Sequence, residues 1–431
     1  MSVTSHAIHE ALASLVGERV RPASQSDMIA GVSPQFVVEP LNEQEVAAVL
    51  SFANKEGLKV SARGSGTQLD MGTPPTGCDI VVSMARMNHI LEHQPHDLTV
   101  TIQAGLRLSD LQTHLATTRQ WLALDPPLEP EATIGGIIST NPSGPRRLRF
   151  GGVRDQLIGL RVVLPDGMIA KGGGKVVKNV AGYDLPKLYV GALGTLGIIV
   201  EATFRLYPLR ASSKTVLLSA PSPTPLCELV VRIIASTLEP TALDVSGSST
   251  LDGTCMLAVR FESEAEAVAD QIDSLLAMAG TLSESARMID HEDEAHYWQQ
   301  SSTLVKAPHD ADNVLIIKAS LLPTYIASWL TELGQVAQRE QLSTQWRAHA
   351  GHGLIFARLS GTQSALTTAV QQLRQAASAR RGTLVVTQAA PALARIVDVW
   401  GPIPALPLMR NLKQRFDPNA IMNPGRFVGG M

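Results

Sequence analysis

Cysteine is scarce in this chain of 431 residues: only Cys78, Cys227 and Cys255, widely separated. An odd, scattered set is no disulfide framework and fits a reducing compartment best. With no two cysteines close enough for a CxxC clip, a Cys₄ zinc site or an iron–sulfur cluster within the chain is not expected. A basic excess is also missing. Lys and Arg total 36 against 39 Asp and Glu, a net charge of −3, which leaves nothing to grip a nucleic-acid backbone. Long apolar runs are absent. The longest, residues 188–200, is interrupted by glycines and falls short of the roughly 18 to 20 residues that span a bilayer. The first 18 residues lack the charged-then-apolar order of a signal peptide and read as a short amphipathic helix. The expectation is a cytoplasmic chain that reaches the inner membrane only peripherally, through partners.

Aromatics make up only 4% of the chain, yet hydrophobic residues make up 45%, enough for a sizeable core and against disorder. The length suggests about two or three domains. Residues 36–208 are rich in glycine and in short apolar segments. Residues 42–57 predict a helix, with Asn42 as cap, Glu45 at the third position and Gly57 as stop. Strands are predicted at 58–62, 79–84, 98–103 and 196–206, with a helix at 108–118. Residues 157–171 read as a hairpin turning at Asp166-Gly167. Beyond Pro208 the order is strand, helix, strand, strand, helix, then loosely the same again. Strands are predicted at 216–219, 242–245, 256–261, 314–319 and 354–359. Helices are predicted at 262–279, 323–338, 363–380 and 406–415. This suits a sheet with helices on one face, ferredoxin-like in kind. No sequence repeat or low-complexity tract is visible.

Three segments of small residues carry candidate chemistry. Arg63, Gly64, Ser65, Gly66, Thr67 and Gln68 follow a strand, and such a loop aims backbone N–H groups into one concavity that suits a phosphate. Alone it is as readily a tight turn. Thr133, Ile134, Gly135 and Gly136, with the hydroxyls of Ser139 and Thr140, form the second segment. Gly194-Thr195-Leu196-Gly197, leading into Ile198, Ile199 and Val200, forms the third. Together within about 140 residues they favour a ligand groove lined by backbone. A dinucleotide fingerprint of the Rossmann kind fails, because Leu69 stands where the third glycine belongs. Gly172-Gly173-Gly174-Lys175 is followed by Val176 and is no P-loop. His291 and His296 lie five apart, about 140° around a helix, so 291–296 reads as an acidic surface turn rather than a zinc helix. No Gly-x-Ser-x-Gly elbow is present. Arg146, Arg147, Arg149 and Arg154 make a basic cluster, suited to a pyrophosphate, an anionic substrate or plain solvent.

The order and spacing of these loops, over residues 40–208, resemble the FAD domain of the vanillyl-alcohol oxidase class, with its PCMH-type FAD-binding fold. The resemblance implies an α+β protein with a ferredoxin-like cap. It places the pyrophosphate at Arg63 to Gln68. Further flavin contacts fall at Thr133, Ile134, Gly135, Gly136, Ser139, Thr140, Arg154, Ile198, Ile199 and Val200. Thr67 and Gln68 stand where some members carry a tethering histidine, so the FAD is expected to be non-covalent. Residues 174–185 and the tail 416–427 are similar to the glycolate oxidase and D-lactate dehydrogenase group.

Catalytic members of that group carry His-x-Gly-Asp-Gly-Asn-x-His, which helps bind a metal. Here the run is His349-Ala350-Gly351-His352-Gly353-Leu354-Ile355-Phe356. Phe356 cannot ligate, so no metal is expected. The pattern resembles the FAD-binding E-type subunits of bacterial glycolate oxidases. It implies work beside a catalytic flavoprotein subunit and an iron–sulfur subunit, on a 2-hydroxy acid such as glycolate. A stand-alone FAD dehydrogenase and a flavin-holding structural subunit are the alternatives. His349, His352 and Tyr183 are the candidate catalytic side chains, although the two histidines read more readily as part of a turn and Tyr183 as a half-buried structural aromatic. The expected layout is an N-terminal helix at 1–29, an FAD domain at 30–210, a cap at 211–400, and a helix and tail at 401–431 that return to the FAD domain.

Overall fold

A computed structural model describes residues 5–127, 130–175, 183–248, 254–303 and 313–431. Most of the 174–185 motif, Lys178 included, lies outside the described residues. The chain forms two compact units. One joins Met1–Pro142, Gly152–Leu209 and Pro402–Met431, and the other joins Ser143–Gly151 and Arg210–Gly401. Residues 143–151, expected within the FAD domain, are part of the second unit.

In the first unit, a four-stranded sheet runs in the order Val20–Pro22, Phe36–Val38, Ile80–Ser83, Val60–Arg63. The last three strands are parallel and short, and Phe36–Val38 and Ile80–Ser83 are buried at every position. Such strands are buried on both faces and need a helical crossover. The helix Glu43–Glu56 supplies one. Asn42 Oδ1 accepts from the Glu45 amide at 2.9 Å, and Gly57 ends the helix at φ +68°. Val46, Val49, Leu50 and Ala53 give it one buried stripe, each large side chain contributing about 1.5–3 kcal/mol. A second, antiparallel sheet runs Ile90–Gln94, Thr99–Gln103, Ile198–Arg205, Leu157–Val163, Ile169–Gly173. Its last two strands are the hairpin expected at Asp166-Gly167, where Gly167 has φ +89° and donates to the Leu164 carbonyl at 2.9 Å.

The end of the chain completes this unit. After the helix Leu406–Phe416, residues 421–423 lie beside the edge strand Val60–Arg63. The Val60 amide donates to Ile421 at 2.8 Å, and the Asn423 amide donates back to Val60 at 2.9 Å. An exposed strand edge is thereby covered.

The second unit is built on one eight-stranded antiparallel sheet. Its order is Arg287–Asp290, Ser212–Ala220, Cys255–Ser263, Ala242–Ser248, Ser343–His349, Leu354–Ser360, Val314–Ser320, Thr383–Ala389. Each half is strand, helix, strand, strand, helix, strand, with its strands ordered 4-1-3-2 (the ferredoxin-like arrangement), and the halves meet where Ala242–Ser248 pairs with Ser343–His349. The repeat invisible in the residues is therefore present in the topology. The helices Pro223–Ile234, Ala265–Ala279, Ile326–Arg339 and Gln363–Ala379 share a core with alternate strand residues.

The segment read as an acidic surface turn is instead the helix His291–Thr303. Glu294 is buried, accepting from Thr215 Oγ1 at 2.6 Å and pairing with Arg260 at 3.3 Å. Trp298 caps the same polar pair, its Nε1 donating to Thr215 at 2.9 Å. Charge spacing alone does not reveal that one of these acids has a buried cation waiting. Among the described residues no helix is long and apolar enough to cross a membrane.

Candidate active site

In the first unit a cleft opens where the strand Val60–Arg63 ends, with about 860 Å³ of space counting the open solvent at its mouth. Two of its walls are places where no side chain fits. A Cβ on Gly64 would sit 1.9 Å from Thr133 Oγ1, and Gly197, at φ +151°, would bring a Cβ to 2.6 Å from the Val163 carbonyl. Backbone must lie bare at both points. Among the described residues no acidic side chain lines the cleft, and its lining cations are Arg63 and Arg426. A floor of bare backbone without carboxylates suits the phosphates and ring of a dinucleotide. Among the described residues the lining includes no His or Cys.

The three small-residue segments do meet here. Arg63, Gly64, Ser65, Gly66, Thr67, Gln68, Thr133, Gly135, Gly136, Ser139, Thr140, Ile198 and Ile199 all line the cleft. The middle segment is the helix Ile134–Thr140, and Thr140 Oγ1 donates back to the Gly136 carbonyl at 2.8 Å. Ile134 and Val200 are buried in the core of the unit rather than in the cleft wall. Arg154 is exposed and does not line the cleft. Its supposed cluster is divided between the units: Arg146 pairs with Glu262 at 2.9 Å and Arg149 with Glu239 at 3.0 Å, both in the second unit. Arg63 faces the cleft but spends its charge on buried Asp27, 2.9 Å away. Arg21, Ser24 and Arg63 together hold the Asp27 carboxyl well below the usual carboxylate range.

What the sequence reading missed is the part played by the tail. Arg426 is buried and donates to main-chain carbonyls: to Leu69 at 2.6 Å, Gln68 at 3.3 Å and Met71 at 3.2 Å. Burial lowers its guanidinium to about 10, still cationic at neutral pH. Asn423 accepts from Ser61 Oγ at 2.6 Å and donates to the Leu193 carbonyl at 2.9 Å. Lys413 donates to the Thr195 carbonyl at 2.8 Å while paired with Asp417 at 2.5 Å. Thus the first and third loops are both fastened by residues more than 200 positions away.

The second unit holds the other sequence candidates. His349 closes the strand Ser343–His349 and is buried rather than part of a turn. Its Nδ1 lies 2.6 Å from Asp244 Oδ1, and the other carboxylate oxygen accepts from Arg347 Nε. A carboxylate only accepts, so Nδ1 carries the proton and Nε2 is the basic nitrogen. Burial opposes the charge on Asp244, but Arg347 and His349 outweigh it and hold the carboxyl below its ordinary value. His352 sits in the short turn Ala350–His352 with both ring nitrogens buried and unbonded, and burial pushes its imidazole down to about 3. Phe356, where the family pattern has a ligand, packs edge-on against His349 at 5.3 Å. Tyr183 is 91% exposed, not half-buried.

Two family models cover most of the chain: the FAD binding domain over residues 34–173 and the FAD linked oxidases, C-terminal domain, over residues 209–427. The chain is 29% identical to the glycolate oxidase subunit GlcD of Bacillus subtilis, over 91% of this chain and 88% of that one. It is 30% identical to a D-lactate dehydrogenase of Archaeoglobus fulgidus, over 91% of each. Among solved structures, p-cresol methylhydroxylase has a TM-score of 0.76 at 14% identity, covering 98% of this chain and 96% of that one, which shows the shared PCMH-type fold. The chain therefore belongs to the FAD-linked oxidases, as an FAD-dependent oxidoreductase of the glycolate oxidase and D-lactate dehydrogenase group.

Proposed function

We propose that this chain is the FAD-binding subunit of a complex that oxidises glycolate to glyoxylate, working beside a catalytic flavoprotein subunit and an iron–sulfur subunit. The observation that carries the reading is similarity along nine-tenths of the chain to a glycolate oxidase subunit, at a level matched by a D-lactate dehydrogenase. Glycolate and D-lactate are both 2-hydroxy acids. Bound FAD supplies the two-electron oxidising power for such a conversion, and the protein supplies orientation and electrostatics. Leu69 and Gln68, fixed by Arg426, shape the phosphate loop, while Gly194 and Gly197 let the backbone approach closely. Asp244 orients His349 so that Nε2 is the basic nitrogen, which makes His349 the candidate base of the second unit.

The altered His349 to Phe356 run, with an apolar ring in place of the last histidine, supports a subunit that relies on a catalytic partner. The scattered cysteines point the same way, because onward single-electron transfer needs a carrier from elsewhere. Anaerobic titration of the purified complex tests the proposal. Glycolate should bleach the flavin absorbance more readily than D-lactate, and both partner chains should co-purify. A colour unchanged by glycolate in the full assembly, or rapid bleaching of the isolated chain, would overturn the subunit reading.

A further inference from the structure

Two histidines of the first unit face each other away from the cleft. The strand Ile90–Gln94 is an edge of the antiparallel sheet, and its His93 stands opposite Val100, on the side that faces the core. The helix Leu108–Ala116 shares that core through Leu108, Leu111 and Leu115, and its last turn carries exposed His114 to the sheet edge. His93 Nδ1 and His114 Nε2 are 3.2 Å apart, with the ring centroids at 5.2 Å. On its other side His93 Nε2 lies 3.0 Å from Gln120 Oε1. Gln120 is buried and its amide is fixed: Nε2 donates to the Pro95 carbonyl at 2.7 Å, which leaves Oε1 as the acceptor. None of these three residues lines the cleft.

These contacts decide which nitrogens carry protons. An amide oxygen only accepts, so in the neutral ring His93 Nε2 is the protonated nitrogen and Nδ1 turns a lone pair toward His114. With no ion between them, His114 Nε2 donates to that lone pair. His114 is exposed, so its proton is free to exchange through water to Nδ1, and both facing nitrogens then aim lone pairs at one point. Two bonds of about 2.0–2.1 Å from a tetrahedral zinc ion to imidazole nitrogens span about 3.3 Å. The observed gap of 3.2 Å needs almost no movement to accept one. A partner on the far nitrogen, as Gln120 is here, is what holds a metal-ligating imidazole in its tautomer and orientation. The helix C-terminus near His114 adds a partial negative charge that favours a cation. Paired imidazoles suit zinc, copper and nickel, whereas magnesium and calcium take oxygen ligands.

We infer that His93 and His114 form a two-imidazole site for a divalent transition-metal ion of the zinc type, oriented by Gln120 and tying the edge strand to the helix. Among the described residues no third His, Cys, Asp or Glu joins the pair, so water completes the coordination. The site is independent of the substrate reading above. The test is calorimetric titration of tag-free, chelator-treated, FAD-loaded protein with zinc chloride, and in parallel with magnesium chloride. Zinc should bind and magnesium should not. His114→Ala and His93→Gln should each weaken zinc binding by about tenfold or more, and Gln120→Met by about tenfold through lost orientation. His114→Ala alters an exposed side chain, so its melting temperature without zinc should match the parent's, while added zinc should raise the parent's alone. Failure of the parent to bind zinc, undiminished binding in both histidine variants, or equal binding of magnesium would overturn the site. Unchanged affinity in Gln120→Met would overturn the orienting role.

Discussion

The guanidinium of Arg426 donates to the main-chain carbonyl of Leu69 at 2.6 Å, so the last turn of the chain fixes the shape of a loop made more than 350 residues earlier. Removing that donor leaves three carbonyls, those of Gln68, Leu69 and Met71, without their partner. Each buried acceptor left unmet costs about 1–3 kcal/mol. Arg426→Met should therefore weaken FAD binding by about 10- to 100-fold in a fluorescence titration. Arg426→Lys should be intermediate, because an ammonium cannot span the acceptors as a fork does. Unchanged affinity in Arg426→Met would refute the fastening role.

Gly64→Ala drives a methyl group into Thr133 Oγ1. Overpacking of this kind costs about 1–3 kcal/mol, and here the strain falls on the cleft wall. FAD affinity should drop by about tenfold, and the apo protein's melting temperature should fall by a few degrees. Adding Thr133→Ala should restore part of the loss. Absence of any rescue would place the clash elsewhere.

Asp244→Asn should be among the most damaging single changes in the second unit. It strips the countercharge from buried Arg347 and leaves a single acceptor oxygen where Arg347 and His349 each had their own. Breaking one member of a buried ion pair costs about 3–5 kcal/mol. Because its folded pKa lies below the ordinary value, Asp244 stabilises the fold above about pH 4 and loses that contribution as acid titrates the carboxylate. Thermal melts from pH 7 down to pH 3 should show a steeper acid loss in the parent than in Asp244→Asn.

His352 has the opposite chemistry but the same sign of slope. Its imidazole is held neutral in the fold, at about 3, against about 6.5 in an unfolded chain. Between those values the unfolded chain takes up a proton that the folded one refuses. Stability from this group is complete above about pH 6.5 and declines toward pH 3, by at most about 1.4 kcal/mol per pH unit. His352→Leu should flatten the melting curve against pH in that window. A slope identical to the parent would show that the ring is protonated in the native state.

Local chemistry made much of the fold legible. Asn42, Glu45 and Gly57 mark both ends of their helix, and Asp166-Gly167 marks its hairpin, because caps and tight turns depend on a few adjacent residues. The convergence of the glycine segments was legible for a similar reason: small residues in strand-to-loop positions have few other uses. Long-range partnership was not. Nothing near Arg426 announces that its acceptors are at residues 68–71, nor does the sequence around Glu294 announce Thr215 and Arg260. The Gly135-Gly136 pair gives no helix signal, because glycine disfavours helices, yet it lies within a short helix, with a Cβ at Gly135 only 3.0 Å from Ala104 Cβ. Arg154 was grouped with its arginine neighbours by proximity in sequence, although the boundary between the units runs between them.

Residues 421–426 supply both an edge for the strand at Val60 and an anchor for the cleft loop that ends at residues 68–71. They are translated after every strand of the eight-stranded sheet, so the cleft loop can take its final shape only once that whole sheet has been made.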